Sequence, residues 1–155
     1  MKKLLLFSAF LYNLSSAQNF TIIQQKTIGS SAEDSFMNII QTNDNGYIAS
    51  GYSSGNISGE KTENSKGYMD YWVLKLNSAF QIEWQKTIGG NDFDVAPNIL
   101  KINSGGYLIT GRSASPISGD KTIDTIGNWD IWILKLDNNG NILWQNVYGG
   151  ALGEA

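Results

Sequence analysis

The sequence predicts an all-β fold of four-stranded antiparallel sheets, and three observations predict it. A long repeat runs through the chain, each copy holds four short strand-like runs, and no window carries helical apolar periodicity. Gln25-Lys26-Thr27-Ile28-Gly29 returns as Gln85-Lys86-Thr87-Ile88-Gly89. Residues 25–84 align with 85–144 without a gap, and 26 of the 60 positions are identical. A fixed period of this size marks a propeller, a solenoid or an array. Four strands per unit of this length suit a propeller blade, whereas solenoid coils repeat at shorter periods. The chain is therefore read as a β-propeller fragment: two four-stranded antiparallel blades and the start of a third, after a signal peptide.

The first strand of each unit is Phe36–Thr42, or Ala96–Ile102. The turns Asn43-Asp44-Asn45-Gly46 and Asn103-Ser104-Gly105-Gly106 follow, in residues that tolerate the positive φ of tight hairpins. The second strand is Tyr47–Ser53, or Tyr107–Ser113. The third, Tyr71–Asn77 or Ile131–Asp137, alternates: Trp72, Leu74 and Leu76 share one face, and Tyr71, Val73 and Lys75 the other. Ser78-Ala79-Phe80 or Asn138-Asn139-Gly140 turns into the fourth strand, Gln81–Ile88 or Asn141–Tyr148. Trp72, Trp132, Trp84 and Trp144 recur at strand positions and are assigned to the core between sheets. Lys75 and Lys135 are expected to lay their stems on apolar neighbours and keep their amines in water.

Met1-Lys2-Lys3, an apolar run from Leu4 to Tyr12 and the small polar stretch Asn13–Ala17 make a signal peptide, with cleavage after Ala17. The run is under half the roughly 20 residues a membrane span needs. The expected organisation is thus 1–17 leader, 18–24 lead-in strand, 25–84 and 85–144 repeat units, and 145–155 the start of a third. Stopping partway through that unit, the chain is read as a fragment of a longer protein. Localisation is expected to be secreted or cell-surface. Of eleven basic residues the leader removes Lys2 and Lys3, so nine face fourteen acidic ones, a net charge of −5. That balance excludes a basic nucleic-acid footprint. The absence of Cys and His excludes disulfides, Cys/His zinc sites, Ser-His-Asp triads and thiol catalysis.

The motifs N-I-[IL], G-Y-[IL]-x-x-G, S-G-[DE]-K-T and D-x-W-x-L-K-L occur in both units, and W-Q-K-T-I-G-G and N-G-N-I-x-W occur once each with partial matches at the equivalent positions. Together they resemble the propeller-type repeats of large surface proteins exported by the type IX secretion system, over residues 18–155. The resemblance implies an exported repeat module and a C-terminal sorting domain, which this sequence lacks. Some proteins of that kind carry names of glycan hydrolases.

In an up-and-down sheet the long loops Ser54–Met69 and Ala114–Trp129 share one end with the link Gly90–Asp94. Loops this long are uncommon unless functional or disordered, so any protein or glycan partner is expected there, at Glu60, Lys61, Asp92, Asp94, Asp120, Lys121 and Trp129. Calcium would suit such carboxylates, yet no D-x-D-x-D-G string is present; the acidic groups are read as a solvated rim, and no cofactor is assigned. Gly55–Thr62 superficially resembles a phosphate loop, but Glu60 separates Gly from Lys and no helix follows. Asp70 and Asp130, each two residues before a Trp, are read as acceptors for backbone N–H groups of the preceding turn. The expected function is a non-catalytic surface interaction or scaffold module. The alternatives are a glycan-active enzyme with its catalytic groups elsewhere, or a carbohydrate-binding module using Trp129.

Overall fold

The computed structural model describes residues 21–22 and 24–151. The leader, 1–17, lies outside the described residues, as do 18–20 and 152–155. Two sheets, each a four-stranded antiparallel meander, make up the fold. Sheet 1 runs β1 (Asp34–Gln41), β2 (Tyr47–Ser53), β3 (Asp70–Leu76) and β4 (Ile82–Ile88). Sheet 2 runs β5 (Asp94–Lys101), β6 (Tyr107–Ser113), β7 (Asp130–Leu136) and β8 (Ile142–Tyr148). Among the described residues there is no helix. All eight expected strands are present, with ends shifted by at most two residues.

The phase of the repeat differs from that of the sheets. Each sheet closes on the strand that carries Gln-Lys-Thr-Ile or its counterpart, so the sheets span 34–88 and 94–148, not 25–84 and 85–144. The first Gln25–Gly29 copy and the expected lead-in strand form no strand among the described residues. A strand needs a partner for its backbone groups, and among the described residues no strand pairs with this segment.

Each sheet has a near face and a far face. In sheet 1 the near face carries Ala49, Trp72, Leu74 and Leu76, which gather Ile28, Tyr47, Phe80 and Ile82 around them. The far face, with Ile48, Tyr71, Val73 and Ile88, packs on the near face of sheet 2, Ile109, Trp132, Leu134 and Leu136, in one continuous core. The contact runs mostly through β1, β2 and β3 of sheet 1 and β5 of sheet 2. Tyr71 lies 5.4 Å from Trp132 and Trp84 lies 6.3 Å from Tyr107. Three polar side chains of sheet 1 find acceptors across this contact. Tyr71 Oη donates to Arg112 O at 3.1 Å, Ser50 Oγ to Pro97 O at 3.1 Å and Trp84 Nε1 to Asn138 O at 3.2 Å.

β5 tolerates Pro97 because its register slips between Val95 and Asn98, and a bulge is where a strand can hold a residue without an N–H. Lys75 departs from expectation. Its amine is buried, donating to Asp44 Oδ2 at 2.8 Å and Glu83 Oε2 at 2.7 Å. Burial would lower its pKa, but those two carboxylates outweigh it and raise it. The repeat places Ser104 and Leu143 opposite Lys135, which is only half-buried.

Close approach of the sheets depends on Gly111. A Cβ there would meet Tyr71 Oη at 2.5 Å and the ring carbons at 2.7 and 2.9 Å. The ring is fixed by the Arg112 contact and cannot retreat without losing it. Gly111→Ala is therefore expected to destabilise the chain by about 1–3 kcal/mol, as overpacking does, read as a lowered urea midpoint with an unchanged slope.

Candidate functional site

The long loops share an end of the sheets with the β4–β5 link, as expected. They are not loose. From Lys61 to Asp70 and from Lys121 to Asp130 the two copies repeat the same burial pattern residue by residue. The anchor is a buried tryptophan. Trp72 and Trp132 are fully buried, so each indole N–H needs an acceptor. Gln85 Oε1 takes the Trp72 N–H at 2.9 Å and also the Thr62 N–H at 3.3 Å, while its Nε2 donates to Glu60 O at 2.6 Å. Gln145 does the same for Trp132 (3.1 Å), Thr122 (3.0 Å) and Asp120 O (2.8 Å). One amide side chain thus clips the loop to the sheet in each copy.

The lysine beside each clip is buried, which corrects the expectation that Lys61 and Lys121 face a partner. Their amines sit 5.7 Å and 5.8 Å from the ring centres of Trp72 and Trp132. Lys61 Nζ donates to Glu63 O at 2.8 Å and to Thr87 Oγ1. Lys121 Nζ donates to Ser113 Oγ at 2.9 Å and Ser115 O at 2.6 Å. Burial lowers both pKa values. Asp70, Glu63 and Asp34 around Lys61, and Asp94, Asp130 and Asp124 around Lys121, oppose that shift.

The aspartates are the loops' second anchor. Asp70 Oδ2 accepts Lys66 N at 2.6 Å, and Asp130 Oδ2 accepts Ile126 N at 2.6 Å, the backbone role read from their recurrence. Asp34 and Asp94 do the same at the other strand entrance, from Ser30 N at 2.6 Å and Gly90 N at 2.7 Å. Asp94 was expected at the partner face and is instead buried. Burial pushes its pKa up to about 6, against the hydrogen bonds from Gly90 N–H and Ser115 Oγ. Asp70 is raised by burial as well.

Glu60 and Asp120 latch each loop to the segment before its sheet. Glu60 N donates to Gly29 O at 3.0 Å and Glu60 Oε2 accepts Gly29 N at 3.1 Å. Asp120 repeats this with Gly89 at 2.9 and 3.1 Å, and also takes Lys66 Nζ from sheet 1. So Gly29 and Gly89 occupy corresponding places. Asp92 turns the link: its carbonyl accepts Tyr68 N at 3.2 Å and its Oδ1 accepts Phe93 N at 2.9 Å. Trp129 is half-buried, with Phe93 at 6.1 Å and the Arg112 guanidinium 4.8 Å from its ring centre. Part of the ring is thus occupied by these two neighbours.

The expected site residues are thus gathered at one end, but chiefly as anchors. Among the described residues, no three acidic side chains gather in a metal-binding group, and no helix is long and apolar enough to cross a membrane. The loop tips were missed by sequence reasoning. Ile57 and Ile117, equivalent in the repeat, are 62% and 61% exposed. Their recurrence inside Ile-Ser-Gly was the available signal. No protein-family model matches the chain, and no curated protein matches it.

The Asp94 shift has a pH signature. Its folded pKa lies above the ordinary unfolded value near 3.9. Between about pH 4 and 6 the folded state therefore binds more protons, and stability falls as pH rises through that window. The loss is on the order of 2 kcal/mol. Asp94→Asn is expected to flatten this slope, measured by urea unfolding at pH 4.5 and pH 7.

Proposed function

We propose that the chain is part of an exported β-propeller and serves as a non-catalytic surface module, offering its long-loop end to a protein or glycan. The observation that carries this reading is the pair Ile57 and Ile117. A single exposed isoleucine is ordinary. The same side chain at the tip of the same pinned loop in both sheets is a periodic feature, presented on a rigid frame. Binding groups commonly sit on loops held this way.

The fate of the recurring charges supports a non-catalytic role. Asp34, Asp70, Asp94 and Asp130 accept backbone N–H groups, and Lys61 and Lys121 serve the loop interior. Export is supported by the leader pattern of residues 1–17 and by the resemblance to type IX surface repeats. Face-to-face stacking of two equivalent meanders supports the propeller.

The test is a glycan array, with isolated cell-envelope proteins as a second panel, probed with the full chain and with Ile57→Ser/Ile117→Ser. The double variant is expected to keep its unfolding free energy within about 0.5 kcal/mol, as exposed substitutions do, and to lose at least tenfold in binding. Unchanged binding by the variant, or turnover of a bound glycan, would overturn the proposal.

A further inference from the structure

The two near faces differ at the places where a neighbouring sheet inserts its rings. Over sheet 2, Tyr71 tilts against Trp132 at 5.4 Å and 32°, above Gly111, and Trp84 reaches Tyr107 past Gly140. Among the described residues no sheet covers the near face of sheet 1. Yet Trp72 carries a ring at 5.4 Å and 36°, that of Phe36, and Tyr47 carries a stacked ring at 4.7 Å, that of Phe80. Both rings belong to sheet 1 itself and cover the centre of its near face, while Ile39 at the β1 side stays 53% exposed where its counterpart Ile99 is buried. Their counterparts in sheet 2 are Ala96 and Gly140, the small residues that leave room for a neighbour. At Gly51 the space is taken by backbone of Ser35 and Phe36, where Gly111 has the Tyr71 ring.

Backbone strain marks the same substitution. Phe80 holds φ of +57° in the left-handed region, where its counterpart Gly140 holds +81°. Non-glycine residues rarely adopt that region. Ile28 completes the pattern, lying on the Trp72 cluster as Ile88 lies in the core with Trp132.

Among the described residues the far face of sheet 2 has no such covering. Leu100, Leu108, Ile131, Ile133, Trp144 and Tyr148 stand where sheet 1 has Ile40, Ile48, Tyr71, Val73, Trp84 and Ile88. All six of the latter lie in or against the core between the sheets. Tyr71 is 0% exposed and Ile131 41%; Ile88 is 3% exposed and Tyr148 53%. Asn98 also matches Asn38, whose Nδ2 reaches across to Asn98 Oδ1.

We infer that sheet 1 is a self-made end cap, and that the far face of sheet 2 docks one further sheet of this same 60-residue repeat, of the uncapped kind. That partner carries small residues at the positions of Ala96, Gly111 and Gly140, so that Ile131 and Trp144 can enter. A ring closing onto sheet 1 has to bring small residues opposite Phe36 and Phe80. Terminal repeats of stacked arrays commonly differ in this way. The inference rests on the reading of the chain as a stack of like sheets, and not on binding at the loop tips; its readout is association of the chain, which the loop-tip variant leaves unchanged.

Uncapping tests it. Phe36→Ala/Phe80→Gly gives sheet 1 the small residues of sheet 2, and sedimentation velocity on the full chain compares it with the wild type. Head-to-tail association at least tenfold tighter is expected, and adding Tyr148→Lys on the exposed far face is expected to reverse it. Circular dichroism confirms the sheets. If the double variant loses them, Phe36→Ala alone, which keeps the Phe80–Tyr47 stack, reads the same effect with a smaller shift. Association no tighter after uncapping, or tightening that survives Tyr148→Lys, overturns the inference.

Discussion

The need of a buried indole N–H for an acceptor organises each half of this protein. Trp72 and Trp132 supply most of the apolar bulk at the heart of their near faces, and neither indole nitrogen can reach water. The glutamine that answers each one comes from the outermost strand and still has an amide group to spend. It spends it on the long loop. Once the loop is clipped there, its lysine is trapped against the ring face, its acidic residue reaches the glycine ahead of the sheet, and the aspartates at the strand entrances find their amides. A buried polar network fixes one arrangement best when its members are satisfied, and within this one Oδ1 of Asp70, Asp94 and Asp130 is buried without a partner among the described residues. Removing the glutamine would leave a buried donor unpaired and release the loop with it.

The identities and differences between the copies divide along the same line. Many residues shared by both units, among them Gln85/Gln145, Lys-Thr, the aspartates and Trp72/Trp132, act within or just ahead of one sheet, whereas the shared Trp84, Asn38 and Gly111 meet the neighbouring sheet. Phe36 and Ala96, Phe80 and Gly140, Tyr71 and Ile131 differ, and they meet whatever lies on the flank.

Much of this was legible in the sequence. Alternation around Trp72 and Trp132 located the central strands, and glycine with asparagine located the turns. The recurrence of Asp70 and Asp130 pointed to a structural role that the backbone bonds bear out. The phase of the sheets was not legible, because a repeat aligns equally well from any starting point. Nor was the burial of Lys61, Lys121 and Asp94: a charged residue in a long polar loop reads as solvent-facing until the loop's path over the indole is known. Lys75 was misread for a related reason, since Asp44 approaches it from the β1–β2 turn and Glu83 from β4. Trp129 is covered by Phe93 and Arg112, neither of which recurs in the other copy, so periodicity offered no hint of them.

One feature bears on how the chain reaches this structure. Gln25–Gly29 and Gln85–Gly89 are the same five residues, yet only the second is woven into a sheet, where it borders β3. To β3 the two segments offer the same side chains and the same backbone, so a refolding chain meets two claimants for one edge. Connectivity alone favours the later one, which a short hairpin delivers to its place, while the earlier must cross the sheet to compete. At high concentration that advantage weakens, and the early segment of one molecule competes for the edge of another, the usual route to exchanged strands.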